Sequence, residues 1–154
     1  VEKKNNSLLA GKTVLAVDDE PDVLEALEDV LDQVLLDKAS DYETASAMIK
    51  AKQYDLTILD IMGVNGLELL EQAVGRGIPA VMLTAHAVSP ESMIESKRKG
   101  ALSFLPKEQM ANLDQFLEEL LAVSARGEST WELLVGKLGG FFDRRFGAGW
   151  IRWL

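Results

Sequence analysis

Five short apolar runs alternate with longer segments of helical period through the first 125 residues, and this alternation leaves the chain few folds to adopt. The runs are Thr13-Val14-Leu15-Ala16-Val17, then about 34–38, 55–59, Ala80-Val81-Met82-Leu83 and about 102–105. Strict alternation of strand and helix predicts an α/β domain, a doubly wound parallel sheet with helices on both faces. The common five-stranded form has the order 2-1-3-4-5, and its ligand crevice lies where strands one and three part company.

The intervening segments carry helix signals. Pro21 opens the first helix, expected to reach Gln33, with Val23, Leu24, Leu27, Val30 and Leu31 as its inner stripe. Asp41 caps a second helix that runs to Lys52. A third spans 66–75 and stops at Gly75 and Gly77. Ser89-Pro90-Glu91 supplies an N-cap, an N1 proline and an acidic first turn to a fourth, which ends at Gly100. A fifth runs to Ser124, with Leu113, Phe116, Leu117, Leu120 and Leu121 inward.

Strands one and three, the pair that borders the crevice, both end in acid. Asp18 and Asp19 follow Val17, and Asp60 follows Leu59. Parallel strands end side by side, so the three carboxylates should converge. Without a cation they would repel one another; a divalent ion with oxygen preference relieves this, and Mg²⁺ is the expected one. Mg²⁺ beside a carboxylate points to phosphoryl chemistry. Two further polar residues stand at strand ends: Thr84 after strand four and Lys107 after Leu105-Pro106.

Bulk composition narrows the rest. The chain has no cysteine, which removes disulfides and thiolate chemistry and suits a cytoplasmic setting. No apolar run approaches the roughly 18 residues of a membrane span, and no signal segment is evident. Residues 1–11 are expected to be a lead, with Val1 to Ser7 trimmed or added. Residues 1–125 hold 11 basic and 22 acidic side chains, so this part would repel nucleic acid.

Taken in order, Asp18, Asp19, Asp60, Thr84 and Lys107, each at a strand end, together with the Leu105-Pro106-Lys107 turn, resemble the receiver domain of two-component response regulators. The resemblance covers residues 12–125 and implies the flavodoxin-like form of the 2-1-3-4-5 sheet. It implies that Asp60 is the phosphoacceptor, taking a phosphoryl group from a sensor histidine kinase, a phosphotransfer protein or a small phosphodonor. Asp19, Asp60 and the Met62 carbonyl would ligate Mg²⁺, with Asp18 acting through water. Lys107 would pair with the carboxylate and later the phosphoryl oxygens. Thr84 and Phe104 would be the switch residues, and Met62 and His86 would tune water access, with Met62 shielding the acyl phosphate. The only catalysis implied is the domain's own phosphorylation and dephosphorylation. Downstream, the resemblance implies a protein target; a homodimer is open, through the helix four–strand five–helix five face or through the tail, which lies outside the resemblance.

The loop Asp60-Ile61-Met62-Gly63-Val64-Asn65-Gly66 departs from the family pattern. It lacks the usual proline and is about two residues short. An alternative reading is therefore a degenerate receiver that serves as a phosphorylation-independent interaction or dimerisation module. Haloacid-dehalogenase-type phosphatases want a second Asp where Met62 stands. A flavodoxin would need a hydroxyl- and glycine-rich loop where Asp18-Asp19-Glu20-Pro21 stands.

Residues 126–154 fall outside that pattern and hold six of the ten aromatic residues. Arg126-Gly127-Glu128-Ser129 reads as a hinge. Residues 129–146 then form a helix with Trp131, Leu134, Val135, Leu138, Phe142 and Phe146 on one face. So dense an apolar stripe should be covered. Its own receiver, a second copy and another protein are the candidates. With 5 basic against 3 acidic residues, the tail is only weakly drawn to a lipid surface.

Overall fold

The computed structural model describes residues 7–85, 89–147 and 149–153. Five parallel strands form one sheet: β1 (Thr13–Val17), β2 (Leu35–Ala39), β3 (Leu56–Asp60), β4 (Ala80–Thr84) and β5 (Ser103–Pro106), in the order β2-β1-β3-β4-β5. Between them run α1 (Pro21–Val30), α2 (Tyr42–Ala51), α3 (Gly66–Gly75) and α4 (Pro90–Arg98). A 3-10 segment, Lys107–Asn112, leads from β5 into α5 (Leu113–Ala125). Helix α6 (Thr130–Phe146) and a last 3-10 turn, Trp150–Trp153, complete the chain. The sheet is the doubly wound, flavodoxin-like one expected.

Strands β3 and β4 are buried along their whole length, as continuous apolar runs covered on both faces should be. Strand β2 lies at one end of the sheet and is half open; Leu35 there is 63% exposed. The caps are those the sequence signals. Asp41 accepts from the Thr44 amide at 2.8 Å, and Ser89 accepts from the Ser92 amide at 3.3 Å.

Two boundaries differ from expectation. Helix α1 stops at Val30 rather than Gln33, with Leu31 out of helical geometry. Its last turn has no basic residue, and Asp29 and Asp32 sit where the helix dipole is negative. The chain before β1 is also more than a lead. Leu9 is buried, and the amides of Leu8 and Leu9 donate to the Glu118 carboxylate of α5 at 2.8 and 3.1 Å.

Helix α6 lies on its own chain, against β5 and α5, while the turn that follows it packs on α4. Thr130 donates its hydroxyl to the Leu102 carbonyl at 2.6 Å, and the Trp131 indole donates to the Ala101 carbonyl at 3.0 Å. Trp131, Leu134, Phe142 and Trp150 are buried, whereas Leu138, Val135 and Phe146 are half-buried. The buried stripe thus differs from the one expected. It ends in Phe142 and Trp150, whose rings lie 5.1 Å apart, and leaves Leu138 at the rim of a small cavity beside Phe116 and Lys137. The indole of Trp150 is fixed by donating to Asp143 at 2.7 Å.

Candidate functional site

The sheet register brings the acids together. Val17 of β1 lies opposite Leu59 of β3, so Asp18 and Asp60 emerge side by side at the carboxyl end. Asp18, Asp19 and Asp60 each offer a carboxylate oxygen within 4.8 Å of the others. Asp18 and Asp60 are buried, while Asp19 is exposed. One oxygen of Asp18 accepts from the Glu20 amide at 2.9 Å. This bond turns the chain from β1 into α1, whose N-cap Glu20 makes no side-chain bond of its own.

Lys107 enters from the end of β5. Its ammonium lies 2.9 Å from Asp18 Oδ2, 2.9 Å from Glu20 Oε1 and 3.5 Å from Asp60 Oδ1. Asp18 Oδ2 is shielded from solvent and has no hydrogen-bond partner among the described residues, so it meets Lys107 as an ion pair. Lys107 thus meets Asp18 and Glu20 more closely than it meets Asp60. Burial pushes the Asp60 carboxyl up to about 7, the Asp18 charge adds to this, and Lys107 opposes it. For Lys107, burial disfavours the charged form, but Glu20 and Asp18 outweigh it and hold the ammonium well above its ordinary value.

The shortened loop has a compact geometry. The Val64 amide donates to the Met62 carbonyl at 2.8 Å, a three-residue turn with Gly63 at its centre and φ +77°. A Cβ on Gly63 would come within 2.6 Å of the Asp19 carboxylate. Asn65 takes the left-handed conformation, φ 55°, which its short polar side chain tolerates. The turn buries Val64 and Ile61 and leaves Met62 72% exposed. Met62 therefore does not supply the shield expected of it; Asp60, at 4% exposure, is enclosed by other groups. The Met62 carbonyl keeps a second lone pair for a ligand.

Of the other expected residues, Thr84 and Phe104 lie on β4 and β5. Thr84 is buried at the end of β4, one residue beyond Leu83, which pairs with Asp60; its hydroxyl donates to the Ala85 carbonyl at 3.4 Å. Phe104 is fully buried and faces the tail, its ring 6.4 Å from that of Phe142. His86 lies outside the described residues. Sequence reasoning missed Glu20, Gly63 and Gly66. Glu20 carried a signal in its acidic neighbours, and the glycines carried one in the shortened loop.

The donor set is all oxygen, as a hard divalent cation requires. The carboxylates outnumber the one ammonium among them, and an added cation would relieve the excess. The residues thus fit a divalent metal ion.

Residues 14–119 match the family model of the response regulator receiver domain, and the chain belongs to that family, within two-component signalling. It is 32% identical over 124 residues to the response regulator protein PilR of Pseudomonas aeruginosa, covering 77% of this chain and 27% of that protein. To the two-component response regulator ARR18 of Arabidopsis thaliana it is 29% identical over 110 residues, 68% of this chain and 17% of that one. The chain therefore spans only a fraction of the curated relatives it matches. Among solved structures, the receiver domain of NtrX from Brucella abortus is similar, with 29% identity, a TM-score of 0.59, and coverage of 73% of this chain and 95% of that one. A CheY-like receiver domain from Methanospirillum hungatei, 24% identical with a TM-score of 0.65 over 76% of this chain and 99% of that one, shares the fold.

Proposed function

We propose that Asp60 accepts a phosphoryl group in a Mg²⁺-dependent reaction, and that this switches the protein's interactions within a phosphorelay. The observation that carries the reading is the grouping of Asp18, Asp19 and Asp60 within 4.8 Å of one another, with the Lys107 ammonium against Asp18 and Asp60. An Asp60 oxygen attacks the donor phosphorus, the donor's bond to phosphorus breaks, and the product is an acyl phosphate. Its ionised form is the nucleophile, so the proton that burial favours must leave first. Lys107, already 3.5 Å from Asp60, is positioned to pair with the incoming phosphoryl oxygens. Asp19, Asp60 and the Met62 carbonyl would hold Mg²⁺, with Asp18 one shell out. The ion would supply charge neutralisation for the transferring group.

The donor is a sensor histidine kinase, a phosphotransfer protein or a small phosphodonor, and the output is binding to a protein target. No turnover of external substrates is proposed. Residues 12–125 form the receiver and 126–154 an extension to it. A cytoplasmic setting fits the cysteine-free composition, and among the described residues no helix is long and apolar enough to cross a membrane. Treatment with acetyl phosphate and Mg²⁺ should add one phosphoryl mass to the wild type and none to Asp60→Ala or to an EDTA-treated sample. Equal labelling of wild type and Asp60→Ala would sink the assignment.

A further inference from the structure

Lys107 has tail contacts on both sides of it. Three residues before it, Phe104 packs its ring against Phe142 of α6. One residue after it, Glu108 accepts from Arg145 of α6 at 2.8 Å. Phe142 is the hub of the tail's aromatic cluster, touching Phe141, Phe146 and Trp150 as well as Phe104. Farther along, Lys137 pairs with Glu119 of α5 at 2.7 Å, and Thr130 and Trp131 fix the start of α6 to the residues just before β5. The segment that carries the site's lysine is thus also the floor on which α6 rests.

We infer that α6 is a displaceable cover whose hold is set by the position of Lys107. The cover belongs to the state in which Lys107 bridges Asp18 and Glu20. A dianionic phosphoryl group on Asp60 competes with Glu20 for the ammonium. The short Phe104–Glu108 segment must follow, and both tail contacts lie on it. Core packing does not deform continuously, so a shift at Phe104 is met by a change of packing at Phe142. Coupling is reciprocal: if loading the site loosens α6, then α6 opposes loading. A homodimer or a partner using the α4–β5–α5 face would find that face open only after α6 has moved. The inference rests on the phosphoacceptor reading for its natural trigger, but not for its test.

The test is amide hydrogen exchange on the full chain. Lys107→Gln removes the ammonium without any ligand. Exchange in α6 should accelerate by at least about fivefold, the low end of ordinary allosteric couplings. Helix α2, remote from the tail, serves as the control for global loosening. Unchanged α6 exchange, or equal acceleration in α2 and α6, overturns the inference. A parallel arm treats the wild type with acetyl phosphate and Mg²⁺ and checks uptake by intact mass. Uptake with faster α6 exchange supports the coupling, and uptake with unchanged exchange overturns it. Absence of uptake counts against Asp60 as phosphoacceptor, and the Lys107→Gln arm then decides the coupling alone.

Discussion

Gly66 sits directly under the Asp60 carbonyl: a Cβ at position 66 would lie 1.9 Å from that oxygen. Strand β3 and α3 therefore approach as closely as a bare Cα allows. Because the obstacle is backbone, relaxation would have to move Asp60 itself. Gly66→Ala should destabilise the fold by about 1–3 kcal/mol or more, as overpacking does. Urea unfolding would measure it. A Gly66→Ala protein with wild-type stability would mean that the loop has more freedom than its geometry indicates.

The raised Asp60 pKa has a definite sign in stability. Its folded value is about 7, against about 3.9 in the unfolded chain. The folded state thus binds the extra proton between these values, and stability falls as pH rises from about 4 to 7. At most roughly 4 kcal/mol is at stake, from about three pKa units at 1.36 kcal/mol each. Asp37, Asp41 and Asp55, held low chiefly by hydrogen bonds from Tyr54, Thr44 and Thr13, act in the opposite sense but only below about pH 4. Asp60→Asn should flatten the fall between pH 4 and 7 and leave the variant more stable than wild type above pH 7. Denaturant titrations at several pH values would reveal it, and an unchanged slope would refute the role of Asp60.

Asp18 and Asp19 should fail differently when changed. Asp18 is buried and holds both the Glu20 amide and Lys107, so Asp18→Ala should cost about 3–5 kcal/mol of stability. Asp19 is exposed, so Asp19→Ala should leave the fold nearly intact while weakening Mg²⁺ binding. For the wild type, Mg²⁺ at ten times its Kd should raise the melting temperature by roughly 3–6 °C. Scanning calorimetry across millimolar Mg²⁺ checks this, and an Asp19→Ala protein that responds like wild type would remove Asp19 from the ligand set.

Within the tail, the buried and rim positions should separate cleanly. Phe142→Ala empties a site among four aromatic rings and should cost about 3–5 kcal/mol of tail packing. Leu138→Ala, at the cavity rim, should cost less than about 2 kcal/mol. All three tryptophans lie in this segment, so fluorescence reports on the tail. Native emission should be blue-shifted, move red in Phe142→Ala, and stay almost unchanged in Leu138→Ala. Equal red shifts in the two variants would contradict the packing.

Much of this was legible in the residues themselves. Periodicity separated strands from helices, and acids at the ends of two strands located the crevice, because the common five-stranded order places those two strands side by side. The caps at Asp41 and Ser89 were readable for the same local reason. What could not be read depended on three-dimensional closure. Met62 turns outward because Gly63 closes a three-residue turn, a consequence of loop length rather than of side-chain type. Leu138 is only half-buried while Trp150, beyond the end of α6, packs on Phe142, because the turn after the helix folds back on the ring cluster, which no helical wheel contains. The distant Glu118 likewise gathers Leu8 and Leu9 into the domain across more than a hundred residues.

Strand β5 closes one end of the sheet, and a strand in that place offers unpaired backbone groups to any extended chain that drifts past. The hydroxyl of Thr130 and the indole of Trp131 meet the carbonyls of Leu102 and Ala101, the residues that lead into that strand. A helix laid alongside with two side-chain donors cannot be extended into further sheet, as a sixth strand could be. The tail thus gives this domain a guard against edge-to-edge aggregation, one that a version cut back to the receiver alone would lack.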